Sequence, residues 1–286
     1  MWFADACLLR HYTAPVQSLH SSPPCQALEP FVRAYGQRQY RLRVPLVEPS
    51  PPCVEPVLNF LFGAGLRVCL SEHTLLTPPP VTLVGANLML GTYLRFEGDV
   101  DQFAVFFEPA GVSDLFGIPI NRMVNTYVDA ATVLPGAASL WDRLALTRTF
   151  DERVRMTETY LLARVSAATP RWEMQVANVI LRQRGTVRVC DLAATYGLSV
   201  RQFERRFAAA VGVTPKAFAR VARFQSALDA KVTTPSRTWC DVAHSLGYHD
   251  QMHLIHDFSQ LGGASPVELM AVLGDARPAA LASERE

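Results

Sequence analysis

The stretch V-C-D-L-A-A-T-Y-G-L-S-V-R-Q-F-E-R-R-F-A-A-A-V-G-V-T-P, Val189 to Pro215, is followed by a second version of itself. That version is W-C-D-V-A-H-S-L-G-Y-H-D-Q-M-H-L-I-H-D-F-S-Q-L-G-G-A-S-P, Trp239 to Pro266. Cys190, Asp191, Ala193 and Gly197 return 50 positions later as Cys240, Asp241, Ala243 and Gly247. One residue is then added, so Ser199, Phe207, Gly212 and Pro215 return 51 positions later as Asp250, Phe258, Gly263 and Pro266.

Each copy reads as two short helices around a turn. Leu192, Ala193 and Tyr196 supply the inner face of the first helix. Gly197 sits at the turn, where a residue lacking Cβ takes positive φ without steric cost. Ser199, and Asp250 in the second copy, are N-caps for the next helix, their oxygens accepting an orphan backbone N–H. Phe203 and Phe207, four apart, anchor that helix inward, with Leu254 and Phe258 doing so in the second copy. Arg201, Gln202, Glu204 and Arg205 are left on or beside the outer face of the first copy, and Gln251, Met252, Ile255 and His256 on that of the second. The planar fork of arginine matches guanine O6 and N7 or a phosphate, glutamine suits adenine or a phosphate, and Met or Ile packs on a thymine methyl.

Thr214-Pro215 and Ser265-Pro266 repeat one device, a hydroxyl cap followed by proline at the first helical position. The helix opened by Pro215 is expected to run to about Ala230. Upstream, Trp172, Val176, Val179 and Ile180 share one face of a helix closed near Gly185. A lone helix-turn-helix match is weak, and plain helical packing accounts for it equally well. Two copies in register, each with cap, turn glycine, inner aromatic and hydroxyl–proline stop, point instead to tandem contacts with one DNA duplex.

Composition agrees. The 286 residues suffice for two domains, and 49% hydrophobic against 19% charged excludes a disordered chain. A net charge of +1 hides a split: residues 171–273 carry 12 basic and 8 acidic groups, and residues 1–170 carry 13 and 15. The modest positive excess belongs to the half holding the repeat, as expected for a polyanion binder. No run of 18 apolar residues occurs, and the start lacks a basic-then-apolar leader, which predicts a soluble cytoplasmic protein without membrane contact. The six cysteines, Cys7, Cys25, Cys53, Cys69, Cys190 and Cys240, form no C-x-x-C pair and read as small hydrophobes in a reducing compartment.

The N-terminal half is rich in proline and short β-like runs: Val54–Phe62, Leu66–Leu70, Val81–Gly85, Leu88–Phe96 and Phe103–Phe107. From Pro109 the pattern turns helical, ending in a helix over Asp151–Ala167 with Val154, Tyr160, Leu161 and Val165 among its apolar positions. Ala168-Thr169-Pro170 reads as a linker, and the residues after 273 as a frayed tail. The expected organisation is α+β: a β-rich domain with trailing helices over 1–168, an all-α domain over 171–273 that folds and binds DNA alone, and a tail over 274–286.

D-L-A-A-T-Y-G-L-S-V-R-Q-F-E-R-R-F, G-V-T-P-K-A-F, V-A-R-F-Q-S-A-L and V-A-H-S-L-G-Y-H-D-Q-M-H-L-I-H-D-F together resemble the DNA-binding domain of the AraC/XylS family of bacterial transcription regulators, over roughly Trp172 to Val272. The resemblance implies that the second helix of each unit enters the major groove and that the Pro215 helix joins the units. It implies Arg201, Glu204 and Arg205 as base-facing in the first copy and Met252, Ile255 and His256 in the second, with Gln202 and Gln251 touching base or backbone. One departure is Arg188, at a cap position where the family has Ser or Thr. F-A-V-F-F-E-P-A-G-V-S-D-L-F-G-I-P, Phe103 to Pro119, more loosely resembles the effector-side domains of such regulators and implies a cupin-like fold.

The implied partners are double-stranded promoter DNA, a small-molecule effector, a second copy of the chain held through Asp151–Ala167, and RNA polymerase if the protein activates. Asn59, Tyr93, Arg95 and Glu97 are candidates for an effector pocket, although half-buried polar strand residues are more often structural. No cofactor, metal or catalytic residue is expected. Isolated His11, His20 and His73 lack the H-x-H of a metal-dependent cupin, and no G-x-S-x-G, phosphate loop or H-E-x-x-H occurs. His249, His253 and His256 have helical spacing, but their place along the second reading helix favours DNA or core contacts over zinc. The alternative is an alkylation-response protein whose zinc-held cysteine accepts a methyl group. The spacing of Cys7, Cys25, Cys53 and Cys69 argues against it.

Overall fold

The computed structural model describes residues 16–63, 65–71, 74–88, 92–147, 149–165 and 171–274. The expected linker at 168–170, the last two residues of the helix expected over 151–167, and the tail beyond 274 lie outside these.

Among the described residues ten strands form two antiparallel sheets. The larger has the order β1 (Val16–Ser22), β2 (Val32–Arg41), β9 (Asp99–Phe107), β4 (Val57–Leu61), β7 (Val81–Val84), β10 (Tyr127–Asp129). The smaller has the order β3 (Leu46–Pro49), β8 (Tyr93–Phe96), β5 (Leu66–Ser71), β6 (Thr74–Leu76). Helices α1 (Gly111–Phe116), α2 (Ala130–Val133), α3 (Ala137–Ala145) and α4 (Phe150–Val165) follow, with a 3-10 turn at Ile120–Met123.

The larger sheet is a middle layer. All five residues of β4 are buried, because strand alternation sends Leu58 and Phe60 to the helices and Val57, Asn59 and Leu61 to the smaller sheet. The expected β-rich half with trailing helices is therefore present. Five strand expectations have counterparts in β4, β5, β7, β8 and β9, while the ten-residue β2 was not anticipated. Its V-R-A-Y-G-Q-R-Q-Y-R reads as polar, yet it lies between β1 and β9 with Gln37 and Arg38 buried. Both are satisfied by side chains: Arg153 donates to Gln37 at 2.8 Å, and Arg38 Nε donates to Gln102 at 2.7 Å. Polar residues sit inside a sheet when partnered, which no hydrophobicity pattern reveals.

Helix α4 covers the helical face of the larger sheet. Arg153, almost wholly buried, makes a bidentate pair with Asp101 at 2.6 and 2.8 Å and lies 4.0 Å over the Phe62 ring. Glu158 accepts the backbone N–H of Cys25 at 2.7 Å. Leu161 is fully buried and Val154 packs against the same core. The apolar positions expected to carry a homodimer are thus consumed within the chain. The outward residues of α4 are mainly Asp151, Arg155, Thr159, Leu162 and Ala163.

The C-terminal half is all-helical: α5 (Trp172–Arg182), α6 (Val189–Thr195), α7 (Val200–Val211), α8 (Pro215–Thr233), α9 (Trp239–Ser245), α10 (Gln251–Gly262) and α11 (Pro266–Gly274). One apolar core runs through both halves. The 3-10 turn packs on the end of α7, where a Cβ at Gly212 would stand 3.3 Å from Ile120. Arg171 donates to Asp114 at 2.6 Å and to the Ser113 carbonyl at 3.0 Å, and buried Gln225 of α8 donates to the Pro52 carbonyl at 3.3 Å. The halves are more closely joined than a linker between independent domains requires.

Arg153→Met leaves Asp101 and Gln37 without their donor beneath α4. The expected loss is about 3 kcal/mol, since removing one partner of a buried pair strands the other. Urea unfolding of the variant checks this, and a change below about 1 kcal/mol would show that α4 is held by apolar packing alone.

Candidate nucleic-acid interface

Both reading helices are built as the repeat implies. At α7, Ser199 and Gln202 form a reciprocal capping box: the Ser199 hydroxyl accepts the Gln202 N–H at 3.3 Å, and Gln202 Oε1 accepts the Ser199 N–H at 3.2 Å. At α10, Asp250 accepts the His253 N–H at 2.7 Å. The turn residues Gly197 and Gly247 have φ of +63° and +68°, the conformation that makes glycine the favoured residue there. Arg188 makes no side-chain cap at α6 and instead stands 3.8 Å from Asp191, whereas Thr238 caps α9, as the departure from the family pattern implies.

Aromatic side chains turn the inner faces toward a shared support. Trp172, Tyr196, Phe203, Phe207 and Phe218 form one train, with neighbouring centroids 4.8 to 6.3 Å apart. In the second unit Phe258 lies 4.7 Å from Phe224 and 5.4 Å from Trp239. Phe218 and Phe224 both belong to α8, so one helix anchors both units. Its 19 residues exceed the expected run to Ala230 and span about 28 Å at 1.5 Å per residue.

What remains outside matches the candidate set. Arg201, Gln202 and Arg205 are exposed and Glu204 is half-buried. In the second unit Gln251, Met252 and His256 are exposed and Ile255 is half-buried, with Met252 69% accessible. Gln202 Oε1 is committed to its cap. Arg206, though exposed, lies 3.4 Å from Glu173 and 4.9 Å over the Trp172 ring, and so holds α7 to α5. Asp257, which in sequence makes α10 look acidic, is buried and paired with Arg220 of α8 at 2.7 Å.

His249, His253 and His256 have separate partners: His249 with Asp250, His253 against the Tyr248 ring, and His256 with Gln260. Among the described residues no group of three metal-ligating side chains occurs. Cys190 and Cys240 are exposed rather than buried as small hydrophobes. Burial and Glu55 push the Cys53 thiol up to about 12, and burial and Glu158 raise that of Cys25, the reverse of what a nucleophilic thiolate needs.

A cavity of about 120 Å³ opens between the sheets of the N-terminal half. Its walls include Val57, Asn59, Leu61, Leu94, Gln102 and Phe106. Of the four sequence candidates only Asn59 lies there. Tyr93 and Arg95 alternate with buried Leu94 and Phe96 and face outward, where Arg95 pairs with Glu97. The remaining wall residues come from strands and from the segments between them, and which strands face each other across a sandwich is not written in local sequence.

A family model described as a helix-turn-helix domain matches residues 192–271. This domain is of the AraC type. Residues 192–271 are thus a DNA-binding helix-turn-helix domain. In structure the chain is similar to ToxT from Vibrio cholerae strain SCE256, at TM-score 0.46 and 12% identity over 84% of this chain and 97% of that one. ToxT from Vibrio cholerae O395 gives 0.45 and 8% over 91% and 99%, and unsaturated fatty acid-bound wild-type ToxT gives 0.43 and 11% over 85% and 97%. Comparison with curated proteins gave no match. Among the described residues no helix is long and apolar enough to cross a membrane.

Three carboxylates start helices in the second unit of this AraC-type domain. The His253 N–H and then His249 hold Asp250 below its ordinary 3.8, and the hydroxyls of Thr238 and Ser265 lower Asp241 and Glu268. A depressed carboxylate stabilises above its unfolded value and loses that contribution as pH falls through the folded one. The caps of α7 and α8 are the hydroxyls of Ser199 and Thr214, which do not titrate. From pH 5 to pH 3 the His253 amide should therefore lose exchange protection before the Gln202 amide, and Asp250→Ser should narrow the difference. Simultaneous loss in the wild type would contradict it.

Proposed function

We propose that α7 and α10 enter successive major-groove segments of one promoter duplex. Arg201, Arg205 and Glu204 would contact bases in one segment, and Met252, Ile255 and His256 in the other, with Gln202 and Gln251 on base or backbone. The observation that carries this is the sorting of each helix into an anchored inner face and an accessible outer face, both fixed to α8. The first unit supplies more of the affinity, having two exposed guanidinium groups on its reading face.

The N-terminal half acts, in this reading, as a sensor with the inter-sheet cavity as its site. Two continuous routes lead from that cavity to the DNA-binding half. Ser50 and Cys53 in its wall flank Pro52, whose carbonyl is held by Gln225 of α8. Asn125, Thr126 and Tyr127 in its wall follow the 120–123 turn that packs on α7. A homodimer would use the outward side of α4, since Val154 and Leu161 are engaged inside. We also infer that the protein works in the cytoplasm, beside promoter DNA and, if it activates, RNA polymerase, and that it is no enzyme.

Selection of bound duplexes from a random pool provides the site. On it, Arg201→Ala or Arg205→Ala should each cost about 1–3 kcal/mol and relax preference in one half. Met252→Ala or His256→Ala should relax the other half, about one helical turn away. If all four weaken every duplex equally, these side chains touch only the phosphate backbone and the assignment fails.

A further inference from the structure

We propose that the inter-sheet cavity binds an uncharged, largely apolar small molecule carrying a hydrogen-bond acceptor, which it presents to Asn59 and Thr92. The proposal deepens the sensor reading above and rests on it. The walls are mostly aliphatic and aromatic: Val57, Leu61, Leu66, Val68, Leu94 and Phe106 come from facing strands of the two sheets. Among the described wall residues none is charged. The space is of the same order as the roughly 150 Å³ engineered apolar cavity that accepts benzene.

Two polar groups give the cavity a direction. Buried Arg38 lies 4.0 Å over the Phe96 ring and donates to Gln102 Oε1, and Gln102 Nε2 in turn donates to Asn59 Oδ1 at 2.6 Å. Because this relay ends on the oxygen of Asn59, it leaves that amide's nitrogen as a donor at the cavity wall. Thr92, at 8% exposure, lines the same space, and its hydroxyl is buried with no hydrogen-bond partner among the described residues. A buried hydroxyl that no protein group accepts from is costly, so a ligand acceptor that reaches it is favoured.

The same geometry disfavours an anion. The two buried cations on this side of the larger sheet are already engaged, Arg38 with Gln102 and the aromatic rings, and Arg33 with Glu55 at 3.0 Å. A carboxylate entering here would lose its hydration and meet neutral donors only. Ketones, esters, ethers and lactones with small apolar bodies fit the site.

The test uses the full chain with labelled Val and Leu methyl groups and three probes at pH 7: cyclohexanone, cyclohexane and cyclohexanecarboxylate. Cyclohexanone should shift the methyls of Val57, Leu61 and Leu94 saturably and bind about 5- to 10-fold more tightly than cyclohexane. Cyclohexanecarboxylate should leave them unmoved. Thr92→Val, which keeps the side chain's shape, should narrow the advantage of the ketone, and an unchanged ratio would remove Thr92 from the assignment. Carboxylate binding as tight as the ketone's would overturn the ligand class while leaving the cavity as a sensor site. If no probe moves these methyls in a chain that still binds its selected duplex, the cavity is not the sensor site at all.

Discussion

The two DNA-contacting units depend on one shared helix. Helix α8 supplies Phe218 to the aromatic train of the first unit and Phe224 to that of the second. It adds Arg220 to buried Asp257 of α10, and Arg223 to the carbonyl of Gly185 at the end of α5. The approach there is close enough that a Cβ on Gly185 would stand 2.0 Å from the Ala219 carbonyl oxygen. Burying a phenylalanine stabilises by roughly 1.5–3 kcal/mol, and the polar pairs fix rotation about the helix axis. A rigid connection with anchors on both sides holds two surfaces in a set relation, which a flexible tether of equal length does not.

The same helix is one of the places where the N-terminal half takes hold. Gln225 reaches the Pro52 carbonyl from α8, and Ile120 meets the end of α7 at Gly212. Arg201 and Arg205 lie toward the opposite, N-terminal part of α7, so the contact leaves the reading face open. On the proposed reading, a change in the walls of the cavity would bear on the support of the two helices rather than on their outward side chains.

The C-terminal half was legible because its constraints are local. A cap, a turn glycine and an inner aromatic fall within one turn or two of each other, and each was written twice. The same local logic identified Arg188 as a missing cap. Asp257, which in sequence flanks the second reading helix as a charge, is buried, because its partner Arg220 lies 37 positions away. The N-terminal half was legible only in its apolar strands. β2 escaped because Gln37 and Arg38 are buried in pairs with Arg153 and Gln102, and the cavity escaped because its walls come from strands in two sheets. Long-range pairing decides those positions, and no short window of sequence contains it.

Hydroxyl-radical footprinting of the full chain on a selected duplex tests the central claim, that one chain places two readers on one face of DNA. The account predicts two protected segments centred about one helical turn, 10–10.5 base pairs, apart. Arg205→Ala should then weaken protection chiefly at one of them. A single protected segment, or two whose separation varies among selected sites, would contradict a fixed pair of readers held by α8.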